Sequence, residues 1–385
     1  MTLLLRIKEF LQSNSKLLES KKYVYIFLVL LSLYVFVRTS PPQDNNFRIF
    51  YHSYLHLAQG LPLHTFYPEA HHDLFYYNPV FATLMAPFTL FPIDVARFIW
   101  IIFLIFCFVY TLYKLPFSID YRFYFLLLVF FDFLNNLGHL QANIPSLACM
   151  LLCWVYFDQN SFFKATFFAV MAFAIKGYAG IICLLFLFGH LRDIIKSFFY
   201  GVFWMIVIHA LPLLVVGSLP KLIEYYQAWL EIISSNTIKE QHSFFGIVKL
   251  LNLPLSDQAV YLIAGGFILV GLILQKFYVK NTIFIAAWLM ITIVLFNQSA
   301  ESPTYIYAIV GMVLIFLYLK NVLIEYLFWI AMAFCTLFPV GIIPLFDALK
   351  YQYYSKAFSV LIFLIGVSIA IFGRRTVENK LLFED

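Results

Sequence analysis

The chain has 385 residues, of which 63% are hydrophobic and only 12% are charged. A typical soluble domain carries about 25% charged residues, so this composition, with a mean hydropathy of +0.88, excludes a soluble enzyme, a nucleic-acid-binding protein and a disordered scaffold. The net charge of +5 does not indicate a polyanionic partner, because basic residues in a membrane protein set its orientation. The composition therefore predicts an integral membrane protein.

Twelve apolar stretches follow one another along the chain, and each is continuously apolar, which predicts membrane-spanning helices and not barrel strands. They lie at residues 23–37, 95–113, 121–137, 143–157, 162–175, 177–189, 197–216, 258–274, 281–296, 304–319, 323–339 and 355–372. A further apolar stretch at 78–92 is interrupted by Pro79, Pro87 and Pro92. It is either a further span or a hydrophobic segment in the outer interface, and the topology below treats it as interfacial. The predicted fold class is an all-α polytopic membrane protein.

The basic residues predict the orientation of these helices. The amino-terminal segment 1–22 and the short loops that alternate behind it contain most of the Lys and Arg residues, which assigns both chain ends to the cytoplasm. We predict one transmembrane domain over 23–372, with long outer loops at 38–94 and 217–257, and a cytoplasmic tail at 373–385. Most histidines and uncommon polar residues then lie on the outer side, so we expect any chemistry there.

The first outer loop contains an amphipathic pattern over 46–59 that is closed by Gly60. This pattern predicts a helix lying on the membrane surface. Asp44 stands at its start, near the positive end of the helix dipole. A solvated helix cap is the structural alternative for this carboxylate.

Histidines in the same loop raise a metal hypothesis. His52 and His56 are four residues apart and share a helix face, and the run His71-His72-Asp73 would complete a site. Contact with lipid headgroups explains the same pair, and adjacent histidines rarely both ligate one ion. We predict no cofactor, with a divalent metal at His52 and His56 as the alternative.

The loop resembles the first outer loop of glycosyltransferase family 87, which belongs to the membrane-embedded GT-C class. That family has an Asp-Phe pair after the first span, a nearby Tyr, a Gly-plus-Tyr segment and a Tyr-Pro-Pro motif. The counterparts in this sequence are 44–47, Tyr51, 60–67 and 77–79, followed by the 138–143 turn, Lys176 at the end of a span, and the polar loop 297–305. The likeness covers most of the chain in order, and it implies a GT-C-like bundle of about twelve transmembrane helices.

The resemblance also implies an activity. Such an enzyme moves a hexose-type sugar, with a mannose-like sugar favoured, from a polyprenyl-phosphate donor to a lipid or glycan acceptor. The reaction is expected at the outer, periplasmic face of a bacterial inner membrane, with membrane lipids but no nucleic acid as partners. The acceptor hydroxyl must lose a proton as it attacks the sugar, so one positioned carboxylate is required.

One position departs from the family pattern. When Phe47 is aligned with the family phenylalanine, Asn46 stands at the aspartate position, and an amide cannot act as a general base. We therefore predict that Asp44, two residues earlier, is the catalytic base. The alternatives are the other outer-side carboxylates Asp73, Glu69 and Glu301.

The departing lipid phosphate develops negative charge, so cationic or hydrogen-bonding side chains are expected to bind it. The candidates on the outer side are Arg48, His139, Gln141, Asn143, Lys176 and His242. Each has a structural alternative. Lys176 would extend to the interface from the end of a span, the 139–143 residues would form an ordinary turn, and Glu301 would cap a helix.

Two other classes of function stay open at this point. A transporter or lipid flippase is expected to carry charges near the middle of its spans, often in two related halves. Asp132 is the main charge of that kind here, and it lies towards the outer end of its span. A non-catalytic relative that serves as an assembly partner is the third possibility, because of Asn46.

Overall fold

A computed structural model describes residues 21–235, 242–337, 344–349 and 354–373, except the side chains of Lys21, Tyr23 and Asp347. The secondary-structure elements in this part of the chain are helices, which confirms the all-α prediction. The predicted cytoplasmic segments at the two ends lie almost entirely outside the described residues.

The helices are numbered in chain order. They are α1 (Lys21–Arg38), α2 (Asn45–Ala58), α3 (Pro79–Leu84), α4 (Ile93–Lys114), α5 (Ile119–Gly138), α6 (Asn143–Asp158), α7 (Phe162–Ile175), α8 (Leu191–Ala210), α9 (Leu213–Val216), α10 (Leu219–Ser234), α11 (Phe244–Leu250), α12 (Asp257–Leu274), α13 (Thr282–Leu295), α14 (Ile306–Tyr318), α15 (Val322–Met332), α16 (Pro344–Asp347) and α17 (Ser355–Phe372). Between them lie 3-10 helices at Phe88–Leu90, Gly177–Phe188 and Ser302–Tyr305, and π-helical turns at Gln275–Val279 and Ala333–Leu337.

The chain divides into two compact units. Unit 1 consists of Met1–Leu127, Phe133–Gly180 and Leu191–Thr237, and unit 2 consists of Leu128–Asp132, Ile181–His190 and Ile238–Asp385. The two are described separately below. The predicted extent of a single transmembrane domain stays a prediction.

In the described part of the chain, each of the twelve predicted spans overlaps a helix; the one at 177–189 is a 3-10 helix, and residues 338–339 of the span at 323–339 lie outside the described residues. Within the described residues, four helices are long and apolar enough to cross a membrane: Ile93–Lys114, Leu191–Val216, Asp257–Val279 and Ser355–Phe372. Seven further apolar helices are shorter, so the number of crossings stays a prediction. The stretch at 78–92 forms no continuous helix, since α3 ends at Leu84 before the proline-rich segment.

In unit 1, the first outer loop is packed against the apolar helices. Val80 of α3 forms a buried cluster with Val170 and Ala174 of α7 and Ile208 of α8. Small residues on the contact face of α7 let neighbouring backbones approach closely, and the Ser146 hydroxyl of α6 donates to the Ala172 carbonyl at 3.4 Å. Helix α3 is therefore held by the apolar core of unit 1.

In unit 2, the centre is a pair of helices that are apolar on every side. Nearly every residue of α13 and α14 is buried, which is the pattern of helices surrounded by other helices. Gly311 of α14 lies so close to α13 that a Cβ atom there would be 2.6 Å from the Ala287 carbonyl oxygen and 2.7 Å from Ile291 Cγ1. The absence of a side chain at this position permits the close approach.

Substitution of Gly311 by alanine tests this packing. The added methyl group would meet a backbone carbonyl that cannot rotate away, so α13 and α14 must separate, and we expect a loss of about 1–3 kcal/mol of stability. The measurement is the unfolding midpoint in detergent. Gly265→Ala on α12 is the matched control, because nothing lies within 4 Å of its Cβ position; equal midpoints for the two variants would contradict the packing argument.

Candidate functional site

Asp44 is a buried carboxylate at the start of α2. Its side chain is 1% exposed, and Arg48 Nε donates a hydrogen bond to its Oδ1 at 2.9 Å. Its Oδ2 has no hydrogen-bond partner among the described residues. Although Asp44 occupies the N-cap position, its side chain accepts no bond from the helix backbone. The interpretation as a solvated helix cap is therefore wrong.

Helix α2 is held against protein by its aromatic residues. Phe47 lies 6.3 Å from the Trp100 ring of α4, measured between centroids, and Phe50 lies 5.0 Å from Phe81 of α3. Both phenylalanines are buried. The predicted helix is present, but its apolar face packs against α3 and α4, whereas the sequence analysis expected that face to rest on the membrane. The reason is that Phe81 of α3 and Trp100 of α4 provide aromatic rings against which Phe47 and Phe50 pack.

Two asparagines in the first turn of α2 bind neighbouring loops. Asn46 Nδ2 donates to the His139 carbonyl at 2.9 Å, and Asn45 Oδ1 accepts from the His72 backbone N–H at 2.7 Å. Asn46, which stands at the family aspartate position, thus has a structural role. It brings Asp44 next to the turn between α5 and α6.

The polar residues of that turn are buried and bonded. Leu140 has a positive φ of 51°, and its carbonyl accepts a bond from Trp100 Nε1 at 3.1 Å. Asn143 Nδ2 donates to Asn136 Oδ1 at 3.0 Å, and the Tyr178 hydroxyl donates to Asn143 Oδ1 at 3.5 Å. Together with the buried Gln141, these groups make the turn more rigid and more polar than an ordinary connection between spans.

Lys176 follows α7 and rests on an aromatic ring of the first outer loop. Its Nζ lies 4.6 Å from the centroid of the Tyr77 ring, and that ring packs edge-on against Phe50 at 5.1 Å. Asn78 Nδ2 also donates to the Ala174 carbonyl at 3.0 Å. Lys176 is thus held by a directed contact between a cation and an aromatic face, and its role at a phosphate stays a prediction.

These contacts form a closed ring within unit 1. It passes from α2 through the turn at 139–143 to Tyr178, through Lys176 to Tyr77, and through Phe50 back to α2. Phe50 lies six positions after Asp44, which is about 9 Å along a helix axis. The turn and the lysine are therefore both connected to the helix that begins directly after Asp44.

The alternative carboxylates of the first outer loop have different surroundings. Glu69 is exposed, and Asp73 is half-buried with Oδ1 accepting from the Leu74 backbone N–H at 2.8 Å. That bond is local to its own turn. Neither residue is both buried and part of the series of contacts that joins α2, the 139–143 turn and Lys176.

The remaining candidates lie in unit 2. Glu301 forms a capping box with Thr304 at the Ser302–Tyr305 helix, as its structural alternative predicted. His242 is buried, and its carbonyl accepts from the Tyr305 hydroxyl at 2.6 Å. Its assignment to the donor phosphate stays a prediction.

Sequence reasoning missed two features. Trp100 holds both Phe47 and Leu140, and no local pattern distinguishes this tryptophan from the others of the chain. Lys356 of unit 2 is buried, with Nζ donating to Ser302 Oγ at 3.2 Å. A signal for it was present, because Lys356 lies within the predicted span 355–372 and ionisable residues inside transmembrane segments are rare.

The three histidines of the first outer loop lie together. The ring centroids of His52, His56 and His71 are 6.0–6.4 Å apart, and Tyr67 lies 3.9 Å from His56. Burial, together with the neighbouring imidazoles, lowers the pKa of all three, and that of His56 falls to about 4. In the described part of the chain, no group of three or more His, Cys, Asp or Glu is arranged to hold a metal ion, so the metal alternative gains no support.

Comparison with known proteins gives the family. The model of glycosyltransferase family 87 matches residues 75–319, which is well over half of the chain. The chain belongs to glycosyltransferase family 87. This confirms the resemblance described above and indicates a membrane glycosyltransferase. No curated protein matches the chain.

The match includes part of the candidate site. The turn at 139–143 and Lys176 lie within the matched residues, whereas Asp44 and Arg48 precede them. The family match therefore includes the polar turn and the lysine. Asp44 lies outside it, at the start of the helix that contacts the turn through Asn46 and the Tyr77 ring through Phe50.

The histidine cluster predicts a pH dependence. Above the ordinary histidine pKa of 6.5, the imidazoles are neutral in the folded and unfolded loop. Between pH 6.5 and about 4, the unfolded loop binds more protons, so the folded loop loses stability as the pH falls. We expect backbone amides in 45–75 to exchange faster at pH 5 than at pH 7.5 after correction for the intrinsic rate.

The control for this experiment is His56→Gln, which removes the most strongly shifted imidazole. The increase in exchange at pH 5 should be smaller in this variant. Equal protection of the native loop at both pH values would contradict the prediction.

Proposed function

We propose that this protein transfers a hexose-type sugar from a polyprenyl-phosphate donor to a lipid or glycan acceptor, with Asp44 as the general base. The observation that carries the proposal is the state of Asp44. This buried carboxylate has one oxygen held by Arg48 and the other without a hydrogen bond among the described residues, which leaves that oxygen available to an acceptor hydroxyl. Unsatisfied buried polar atoms are uncommon in purely structural positions.

The proposed reaction needs one proton acceptor and one stabilised leaving group. Asp44 removes the proton from the acceptor hydroxyl while that oxygen forms a bond to the anomeric carbon. The bond from the anomeric carbon to the phosphate oxygen breaks, and the phosphate oxygen keeps the electron pair. The products are the glycosylated acceptor and a polyprenyl phosphate. The proposal includes no metal cofactor.

The leaving phosphate would be bound by the cationic and amide groups around Asp44. The guanidinium of Arg48 has five N–H donors, of which the Nε–H is directed to Asp44, and its side chain is 30% exposed. Lys176 supplies a point charge, and the polar turn supplies hydrogen-bond donors. The proposed set within unit 1 is Arg48, His139, Gln141, Asn143 and Lys176.

The proposed location is the outer face of a bacterial inner membrane. The basic loops support this orientation through the positive-inside rule. A donor carried on a polyprenyl chain would keep its tail among apolar helices and present its phosphate at the membrane surface. A mannose-like sugar is the favoured cargo, on the family resemblance alone.

Asp44→Asn tests the base. An amide keeps the shape of the side chain but cannot accept the proton, so we expect sugar transfer to fall by about 10²–10⁴-fold. The measurement is transfer from a panel of radiolabelled polyprenyl-phosphate sugars to membrane lipid extract, with purified protein in nanodiscs. Asp73→Asn, Glu69→Gln and Glu301→Gln are the matched controls and should retain transfer.

Loss of transfer in one control instead of Asp44→Asn would move the base to that carboxylate. If neither the native protein nor any variant transfers sugar from any donor, the result would favour a transporter or a non-catalytic relative over an enzyme.

Lys176→Met tests the phosphate site. The apolar side chain keeps the length but not the charge, so we expect kcat/KM to fall by about 100-fold. Lys164→Met is the matched control, because Lys164 Nζ also lies over a tyrosine ring, at 5.4 Å from Tyr156, but belongs to a predicted inner loop. An equal effect of the two substitutions would indicate a structural role for the lysine–tyrosine contact.

A further inference from the structure

Helix α10 of the second outer loop has three different faces. One faces protein: Leu222 and Tyr225 are buried, and Trp229 is half-buried. A second is polar and exposed, with the Lys221–Glu224 ion pair at 3.2 Å. The third is apolar and exposed. It consists of Leu219, Ile223 and Leu230, which are 58%, 47% and 54% exposed and share one side of the helix because they are four and seven residues apart.

Helix α10 is attached to a second exposed apolar surface, which lies on α8. The segment Leu191–Val216 is long and apolar enough to cross a membrane, and little of it is buried inside the protein. Its exposed side chains include Phe199, Phe203 and Ile206, followed by Leu214 of α9, which is 84% exposed. The Tyr226 hydroxyl of α10 donates to the His209 carbonyl at 2.9 Å, so α10 is attached to the end of α8.

We infer that α10 lies in the outer leaflet of the membrane, with Leu219, Ile223 and Leu230 in contact with acyl chains. A helix with one apolar and one strongly polar exposed face has the composition of an interfacial helix. The lipid is the occupant because α10 is attached to the end of a candidate membrane span whose exposed surface is apolar. Water would meet the polar face, where Gln227 and Glu231 are exposed.

The protein-facing side of α10 holds the first outer loop. The Tyr225 hydroxyl donates to the Leu61 carbonyl at 3.0 Å, and Trp229 Nε1 donates to the Tyr76 carbonyl at 3.2 Å. Tyr77, the next residue, carries Lys176 on its ring. Helix α10 thus joins the loop of the candidate site to the membrane surface. That this brings the site to the level of a lipid-linked donor rests on the proposed function.

Photo-crosslinking tests the position of α10 without any sugar transfer. We would place p-benzoylphenylalanine singly at Ile223 and Leu230, and at Gln227 and Glu231 as matched controls on the polar face. The full chain would be studied in nanodiscs of phosphatidylethanolamine and phosphatidylglycerol. We expect mass spectrometry to find lipid adducts at Ile223 and Leu230 and none at Gln227 and Glu231.

Two outcomes would overturn the inference. Equal lipid adducts on both faces would show that α10 is not oriented by the membrane. Crosslinks between two copies of the chain at Leu230 would assign the apolar face to a dimer. Because neither readout needs an active enzyme, failure here is distinguishable from failure of the proposed function.

Charge substitution supplies a second measurement. Leu230→Asp would place a carboxylate among acyl chains, which is unfavourable, so α10 should loosen and amides in 61–77 should lose protection in hydrogen exchange. Gln227→Asp is the control on the polar face and should leave these amides unchanged. Unchanged protection in both variants would contradict the membrane position of α10.

Discussion

The burial of Phe47 and Phe50 against Trp100 and Phe81 determines the geometry of the candidate site. Full burial of such a side chain contributes about 1.5–3 kcal/mol, and the two residues lie on one helix. Their burial fixes the first turn of α2, which also contains the asparagines that bind the loops at 72 and 139. The contacts therefore offset part of the cost of taking the Asp44 carboxylate out of water.

The state of the carboxylates separates structural from chemical roles. Asp73 and Glu301 use their side chains in local turns and caps, where a carboxylate satisfies nearby N–H groups and is itself satisfied. Asp44 is buried but shares only one oxygen with Arg48. A half-satisfied buried carboxylate is unfavourable for folding, so its presence at the start of the helix that contacts the polar turn favours a functional explanation.

Two sets of contacts hold the first outer loop. In the first, Val80 of α3 packs against the apolar helices α7 and α8. The proposed interfacial helix α10 holds the same loop from its side through Tyr225 and Trp229. Ordering a loop of this length costs conformational entropy. The contacts of the loop with α3 and α10 offset part of that cost. The site thus lies on a rigid support although most of its residues come from loops.

The sequence alone determined the features that depend on local pattern. Composition indicated an all-helical membrane protein, the apolar period predicted α2 within one residue of its observed bounds, and the prolines at 78–92 predicted an interrupted segment. Ordered motifs indicated the family. Only the tertiary structure decided which surface the apolar face of α2 covers, that Asn46 bonds to the carbonyl of His139, and that Lys176 rests on Tyr77. The physical reason is that lipid and protein interior are equally apolar, so hydropathy identifies an apolar face but not the surface that covers it.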